Sequence, residues 1–232
     1  MLKDRLSAVE DRVTIRNVII SVSDKSGLDT LVLGLRRNNP SVAIYSTGGT
    51  YRRIKEILGP GLEAGEGAGL VEIAEYTGQP EMEGGLVKSL DFHVHAGILA
   101  EPGNEDHRRF LADISAVYFD LVVVNLYPFE ETVARSGSDL EDGRGNIDIG
   151  GPTMLRAAAK NFLRVATVTN PRNYQEIVNE LRRSGGSLSL ATRLRLAQES
   201  FAETSRYEAA ISGYFSALNP EIEAERILGR KR

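Results

Sequence analysis

The chain has 232 residues, 41% hydrophobic and 26% charged, an ordinary globular composition with room for one large or two small domains. Its net charge of −4 implies no general attraction for nucleic acid, so any phosphate binding has to be local. The absence of cysteine excludes disulfides, cysteine-ligated zinc and a thiol nucleophile, and no apolar run approaches the ~18 residues of a membrane span.

Met1 to Arg12 carries charges of both signs and lacks the apolar core of a signal peptide, so a cytoplasmic location is expected. Residues 1–16 read as an N-terminal extension with a partly ordered helix. Residues 17–217 form the main domain, and 218–232 a charged, frayed tail. Val18 to Val22 is a buried-type strand. The polar loop Asp24-Lys25-Ser26-Gly27 follows, and then a helix with Leu28, Leu31, Val32 and Leu35 on one face. Val42 to Ser46 is a second strand, Thr47-Gly48-Gly49-Thr50 a second loop, and Ile54, Ile57 and Leu58 mark a second helix. Two strand–loop–helix units in succession predict an α/β fold with a mostly parallel sheet. In such sheets ligands sit beyond the carboxyl ends of the strands, where both loops belong. Hydroxyls, an ammonium and glycine before a helix suit phosphate, and neither loop has a dinucleotide or Walker A spacing. A mononucleotide or sugar phosphate is the ligand class expected. The plain alternative is that Ser and Thr only cap two helices.

Gly59 to Gly69 holds five glycines and reads as a mobile loop, and Thr77 to Gly85 as a long irregular stretch ending at Lys88. Asp91, His93 and His95 would share one face of a strand, an acceptable metal-ligand spacing, although no further ligand cluster accompanies them. Glu101 to Arg109 reads as a charged loop. Leu121 to Leu126 is the clearest buried strand, and it places Asn125 and Tyr127 at a ligand-binding edge. Ser136 to Gly145 reads as a polar loop. Asn146 to Ile149 reads as a short extended piece, Gly150-Gly151 as a turn, and Pro152 to Asn161 as a helix. Asp148 stands at the mouth of that turn, and Lys160 about two turns down the helix. Val165 to Val168 is a further strand and Tyr174 to Arg183 a helix. A last long helix starts near Leu190, with Leu190, Leu194, Ala197, Phe201, Thr204, Ile211 and Phe215 in one stripe for the core or a partner.

Four segments together carry a resemblance: Ser21-Val-Ser-Asp-Lys-Ser-Gly27; Ser46-Thr-Gly-Gly-Thr50; Thr77-Gly-Gln-Pro-Glu-Met82 with Val87-Lys88; and Asn125-Leu-Tyr-Pro-Phe129 with Asn146-Ile-Asp-Ile-Gly-Gly-Pro152 and Ala157-Ala-Ala-Lys-Asn161. Over about residues 17–217 the chain resembles the IMP cyclohydrolase domain of the bifunctional purine-biosynthesis protein that also carries AICAR transformylase. The resemblance implies a methylglyoxal-synthase-like three-layer sandwich with a C-terminal helical extension. It implies closure of formylated aminoimidazole carboxamide ribonucleotide (FAICAR) to IMP, without metal or organic cofactor. The chain is expected to be a free-standing cyclohydrolase or the part of a longer protein with that role. A homodimer and a separate transformylase are the partners expected.

By that resemblance Lys88, Tyr127, Asp148 and Lys160 match the catalytic set. The roles expected are oxyanion stabilisation and protonation by Lys88 and Tyr127, and deprotonation of the carboxamide by Asp148 supported by Lys160. Ser21, Ser23, Lys25 and Ser26, with Ser46, Gly48, Gly49 and Thr50, match phosphate and ribose contacts. Asn125, Ile149 and Gly150 are expected at the base, and Ser89 keeps a hydroxyl where the family has threonine. The family run Gly-Arg-Val-Lys-Thr-Leu-His-Pro departs here at Leu86, Asp91 and Phe92, which removes a fixed cation near the ligand region. Two other readings stand beside this one: a non-catalytic nucleotide- or phosphate-binding regulatory domain, and a metal-dependent hydrolase built on Asp91, His93 and His95.

Overall fold

The computed structural model describes residues 9–59, 64–65, 68–79 and 89–229. Strands β1 (Arg12–Thr14), β2 (Asn17–Val22) and β3 (Ala43–Ser46) alternate with helices α1 (Leu28–Asn38) and α2 (Gly48–Leu58). A short pair, β4 (Ala64–Gly65) and β5 (Ala68–Glu72), leads to α3 (Ile73–Thr77). Helices α4 (Phe92–Leu99) and α5 (Glu105–Asp113) precede β6 (Leu121–Asn125). Then come α6 (Phe129–Val133), α7 (Leu140–Gly145), α8 (Gly150–Lys160) and β7 (Ala166–Val168). The chain continues through α9 (Tyr174–Ser184), β8 (Ser187–Ser189), α10 (Leu190–Ser216) and α11 (Pro220–Gly229).

The main sheet has the order β4-β5-β3-β2-β6-β7. Its pairings are parallel except at the β4 edge. The chain runs outward from β2 through β3 to β5, then returns to β6 on the other side of β2. The switch point therefore lies beside β2, where a ligand crevice opens in sheets of this kind. β2 and β6 are hydrophobic on both faces because helices cover both sides. Val18, Ile20 and Val22 pack with α1, α2 and α9, while Ile19 faces the layer of α4 and α8. This is the three-layer α/β sandwich expected.

Several local expectations fail for identifiable reasons. Residues 12–14 are a strand, not a helix, because β1 pairs antiparallel with β8 far along the chain. Part of the Gly59–Gly69 stretch joins the sheet, since Ala64 and Gly65 pair antiparallel with Gly69 and Ala68. The charged stretch after Glu101 becomes α5, started by Asn104, whose side chain accepts from the Asp106 and His107 N–H groups. The polar loop before Gly145 becomes α7 through a capping box between Asp139 and Asp142. Asn146 to Ile149 is not extended into a strand, and α8 begins at Gly150, so both glycines lie in its first turn. The tail forms α11 over Pro220–Gly229, although it is exposed.

On α10 the buried face is Arg193, Leu196, Ala197, Ser200, Thr204 and Tyr207. Leu194, Phe201 and Phe215 of the apolar stripe are exposed, at 42%, 41% and 42%. Polar side chains are buried in their place because each finds partners. Arg193 donates to the carbonyls of Glu10, Asp11, Phe162, Leu163 and Leu188. No helix among the described residues is long and apolar enough to cross a membrane.

Candidate active site

The carboxyl ends of β2, β3 and β6 open, with the start of α8, onto one cavity of about 530 Å3. Ser21, Ser23 and Lys25 reach it from the end of β2 and the loop beyond. Thr47, Gly48, Gly49 and Thr50 reach it from the start of α2, and Asn125 and Tyr127 from the end of β6. Ser89, Asp148, Ile149 and Gly150 close the other side.

The loop after β2 is held by Asn125. Its Oδ1 accepts from the N–H groups of Ser23 and Asp24 at 2.6 and 2.9 Å, and its Nδ2 donates to the Asp24 carbonyl at 2.8 Å. Asn125 therefore clamps the loop after β2 through both amide atoms, and it also lines the cavity. Lys25 curls over the same loop, with Nζ donating to the carbonyls of Val22 and Ser23 at 3.3 and 3.2 Å. Thr50 fixes the second loop against the first, its Oγ1 accepting from Val22 N–H at 3.1 Å and donating to Val22 C=O at 3.0 Å.

Two expected contacts do not reach the cavity. Ser46 is fully buried and donates to the Ile20 carbonyl at 2.6 Å. Its neighbour Thr47 points into the cavity instead, with Oγ1 3.1 Å from Ser21 Oγ. Strand alternation decides between such neighbours. Ser26 is exposed and serves the turn, where its backbone N–H donates to Asp24 Oδ1 at 2.9 Å. The hydrogen bonds from Ser26 hold the Asp24 carboxyl below its ordinary range.

Asp148 is the central group. It lies just before α8, and Gly151 N–H donates to its Oδ1 at 2.8 Å. Burial raises its pKa above the usual carboxylate value, against hydrogen bonds from the backbone of Gly151 and Tyr127 that pull it down. The glycines make room for this arrangement. A Cβ on Gly151 would sit 2.5 Å from Asp148 Oδ2, and one on Gly150 would sit 2.7 Å from Ser89 Oγ. Tyr127 shares the cavity with a half-exposed ring, and its hydroxyl has no hydrogen-bond partner among the described residues.

Lys160 is not brought to this group. It is exposed at the last position of α8, roughly 15 Å along the helix from Gly150 at the ordinary rise. Within one copy of the chain it does not support Asp148. Lys88 lies outside the described residues, as does Leu86. Arg52 lies beside the second loop: its Nη2 is 3.8 Å from the place of a Cβ on Gly49. Arg53 is engaged with Glu56 at 2.9 Å, whereas Arg52 has no ion pair among the described residues.

Asp91, His93 and His95 do not lie on a strand. Asp91 caps α4, accepting from His93 N–H at 2.7 Å, and its Oδ1 and main-chain oxygen lie 2.9 Å from the Nδ1 atoms of His93 and His95. Among the described residues no group of three or more histidine and acidic side chains is placed to hold a metal ion.

The MGS-like domain family matches residues 30–153, more than half of the chain. The chain belongs to this family. The AICARFT/IMPCHase bienzyme family matches residues 158–230 of this MGS-like chain. The bifunctional purine biosynthesis protein PurH of Magnetococcus marinus is 42% identical over 207 residues, covering 89% of this chain. The MGS-like chain spans 37% of the length of that curated relative. The crystal structure of ForH aligns with a TM-score of 0.71 at 32% identity, over 87% of this chain and 100% of its own. The resemblance drawn from the four sequence segments agrees with both family matches.

Proposed function

We propose that the chain is an IMP cyclohydrolase, closing FAICAR to IMP with loss of water. One observation carries the reading: a half-buried carboxyl of raised pKa, Asp148, shares a single cavity with Tyr127 and with two phosphate-type loops. The loops after β2 and β3 hold the ribose phosphate through Ser21, Ser23, Lys25, Gly48 and Gly49. Thr47 joins them, and Thr50 keeps them in register. Ile149, Gly150 and Ser89 line the side left for the base.

In the reaction the carboxamide nitrogen attacks the formyl carbon of the same molecule. A C–N bond forms and the formyl oxygen takes up the electron pair. Asp148 as carboxylate accepts the carboxamide proton, a role suited to a carboxyl whose pKa is raised towards neutrality. The Tyr127 hydroxyl donates to the developing oxyanion. The C–O bond then breaks as Asp148 returns its proton to the hydroxyl, which leaves as water, and the former formamide N–H gives its proton back to Tyr127, leaving the aromatic ring. The cavity also contributes by holding the two ends of the substrate in a closing geometry. Lys88, which the resemblance places in the catalytic set, takes the oxyanion beside Tyr127 in this reading. Formyl transfer onto the aminoimidazole precursor falls to a transformylase on another domain or polypeptide. The exposed Leu194, Phe201 and Phe215 are the face on which a second copy would dock in the expected homodimer.

The test is a spectrophotometric assay of IMP formation from FAICAR by wild type, Asp148→Asn and Tyr127→Phe. Wild-type turnover is expected, with a loss on the order of 10²–10⁴-fold in Asp148→Asn, the range for one general base. Saturable IMP binding without any turnover would replace this reading with a nucleotide-binding regulatory domain.

A further inference from the structure

The segment that carries Asp148 is strapped to α10 by two tyrosines seven residues apart, on one face of the helix. Tyr214 holds the far end, its Oη donating to the Asp139 carbonyl at 3.4 Å. Tyr207 holds the near end. It is 4% exposed and does not line the cavity. Its Oη accepts the Asp148 N–H at 2.8 Å and donates to the Asn146 carbonyl at 3.2 Å. Its ring stacks edge-on against Phe129, with centroids 6.3 Å apart.

This hydroxyl is a two-way link. It satisfies a backbone donor and a backbone acceptor on either side of Ile147, so it fixes the direction in which the chain enters α8. The Asp148 carboxyl is gripped from the other side by Gly151 N–H at 2.8 Å. Its main chain is thus held by α10 and its side chain by α8. We propose that Tyr207 is a positioning residue for the ring closure, acting through Asp148 and never touching substrate. This inference rests on the cyclohydrolase reading for its chemistry.

Among the described residues, three charged or titratable side chains stand about Asp148 and Tyr207. Tyr127 follows β6, Lys25 shares the cavity from the loop after β2, and Glu208 stands beside Tyr207 on α10. None of the three side chains hydrogen-bonds the Tyr207 hydroxyl, whose partners are Asp148 N–H and the Asn146 carbonyl. Tyr207→Phe removes both hydrogen bonds and keeps the ring on Phe129. The Asp148 loop then loosens, water reaches the carboxyl, and its pKa falls towards the ordinary range.

The experiment compares wild type, Tyr207→Phe and Tyr214→Phe by steady-state kinetics with FAICAR and by titration of the Asp148 carboxyl carbon in NMR. For Tyr207→Phe, kcat should fall about tenfold to a hundredfold, as a displacement of about 1 Å costs in a preorganised site. KM should change less than about threefold, since the phosphate loops are not touched, and the Asp148 titration should move to lower pH. Tyr214→Phe, which loosens the same strap at its far end, should keep kcat and the titration within about threefold and a few tenths of a pH unit of wild type. Wild-type kcat and an unmoved Asp148 titration in Tyr207→Phe would overturn the inference, as would equal effects of the two variants. If wild type itself does not turn over FAICAR, the cyclohydrolase reading fails alone. The Asp148 titration in Tyr207→Phe still decides positioning: a downward shift sustains it and no shift removes it.

Discussion

Gly151→Ala tests the site with a single methyl group. In an ordinary helix, replacing glycine by alanine gains about 1 kcal/mol of helix propensity. At Gly151 the new Cβ meets Asp148 Oδ2 at 2.5 Å, Leu126 Cδ2 at 2.7 Å and Asp148 Cγ at 3.0 Å. Leu126 can swing its terminal methyl away, but the carboxyl can retreat only by giving up the 2.8 Å bond from Gly151 N–H. Overpacking of this kind costs roughly 1–3 kcal/mol, so the net change is a loss of about 0–2 kcal/mol. Catalysis should suffer more, by up to about 100-fold in kcat, because the base has moved by about an ångström. Gly213→Ala is the internal control. It lies in α10, and a Cβ there meets nothing within 4 Å. That variant should gain about 1 kcal/mol, a Tm rise of roughly 2–4 °C for a chain of this size, with activity unchanged. Differential scanning calorimetry and the FAICAR assay read both quantities. A Gly151→Ala protein stabilised as much as Gly213→Ala, with wild-type kcat, would refute the claim that this glycine makes room for the carboxyl.

Three further outcomes follow from the same structure. Burial raises the Asp148 pKa, so the folded state binds this proton more tightly than the unfolded chain. Stability is therefore lost as pH rises from the unfolded carboxylate value through the raised folded one, and the cost persists above it. Asp148→Asn should melt higher than wild type at neutral pH, with the gap closing by about pH 3; an equal gap at both pH values would contradict the raised pKa. Arg164 is buried with Asp120 at 3.1 Å and donates to the carbonyls of Gly97, Ala100 and Phe119. Arg164→Met strands Asp120 in the core and should cost about 3–5 kcal/mol in urea unfolding; a loss under about 1 kcal/mol would show that water reaches the pair. Arg52→Ala should raise KM for FAICAR about tenfold with kcat retained, the pattern of lost uniform binding to the phosphate. An unchanged KM would show that the Arg52 guanidinium does not reach the phosphate.

The sequence alone determined the central strands and the loops that follow them. Those signals are local: β2 and β6 are continuous apolar runs, and a glycine–hydroxyl loop before a helix is legible without its neighbours. It also singled out Asp148, Tyr127 and Lys25, which share the cavity. What it left open depended on partners far along the chain. The Ser46 hydroxyl belongs to Ile20, and the Asn125 amide belongs to the backbone at Ser23 and Asp24. The face that α10 buries is set by the carbonyls waiting for Arg193 and by the chain near Asp148 waiting for Tyr207. Apolar periodicity marks Leu194 and Phe201 as readily as it marks core residues, so it could not choose that face. A helix's length decides how far Lys160 lies from Gly150, yet only the docking of α8, with its first turn on the cavity, shows which end serves the site. Hydrogen-bond satisfaction across long sequence separations made these choices, and only the tertiary structure contains it.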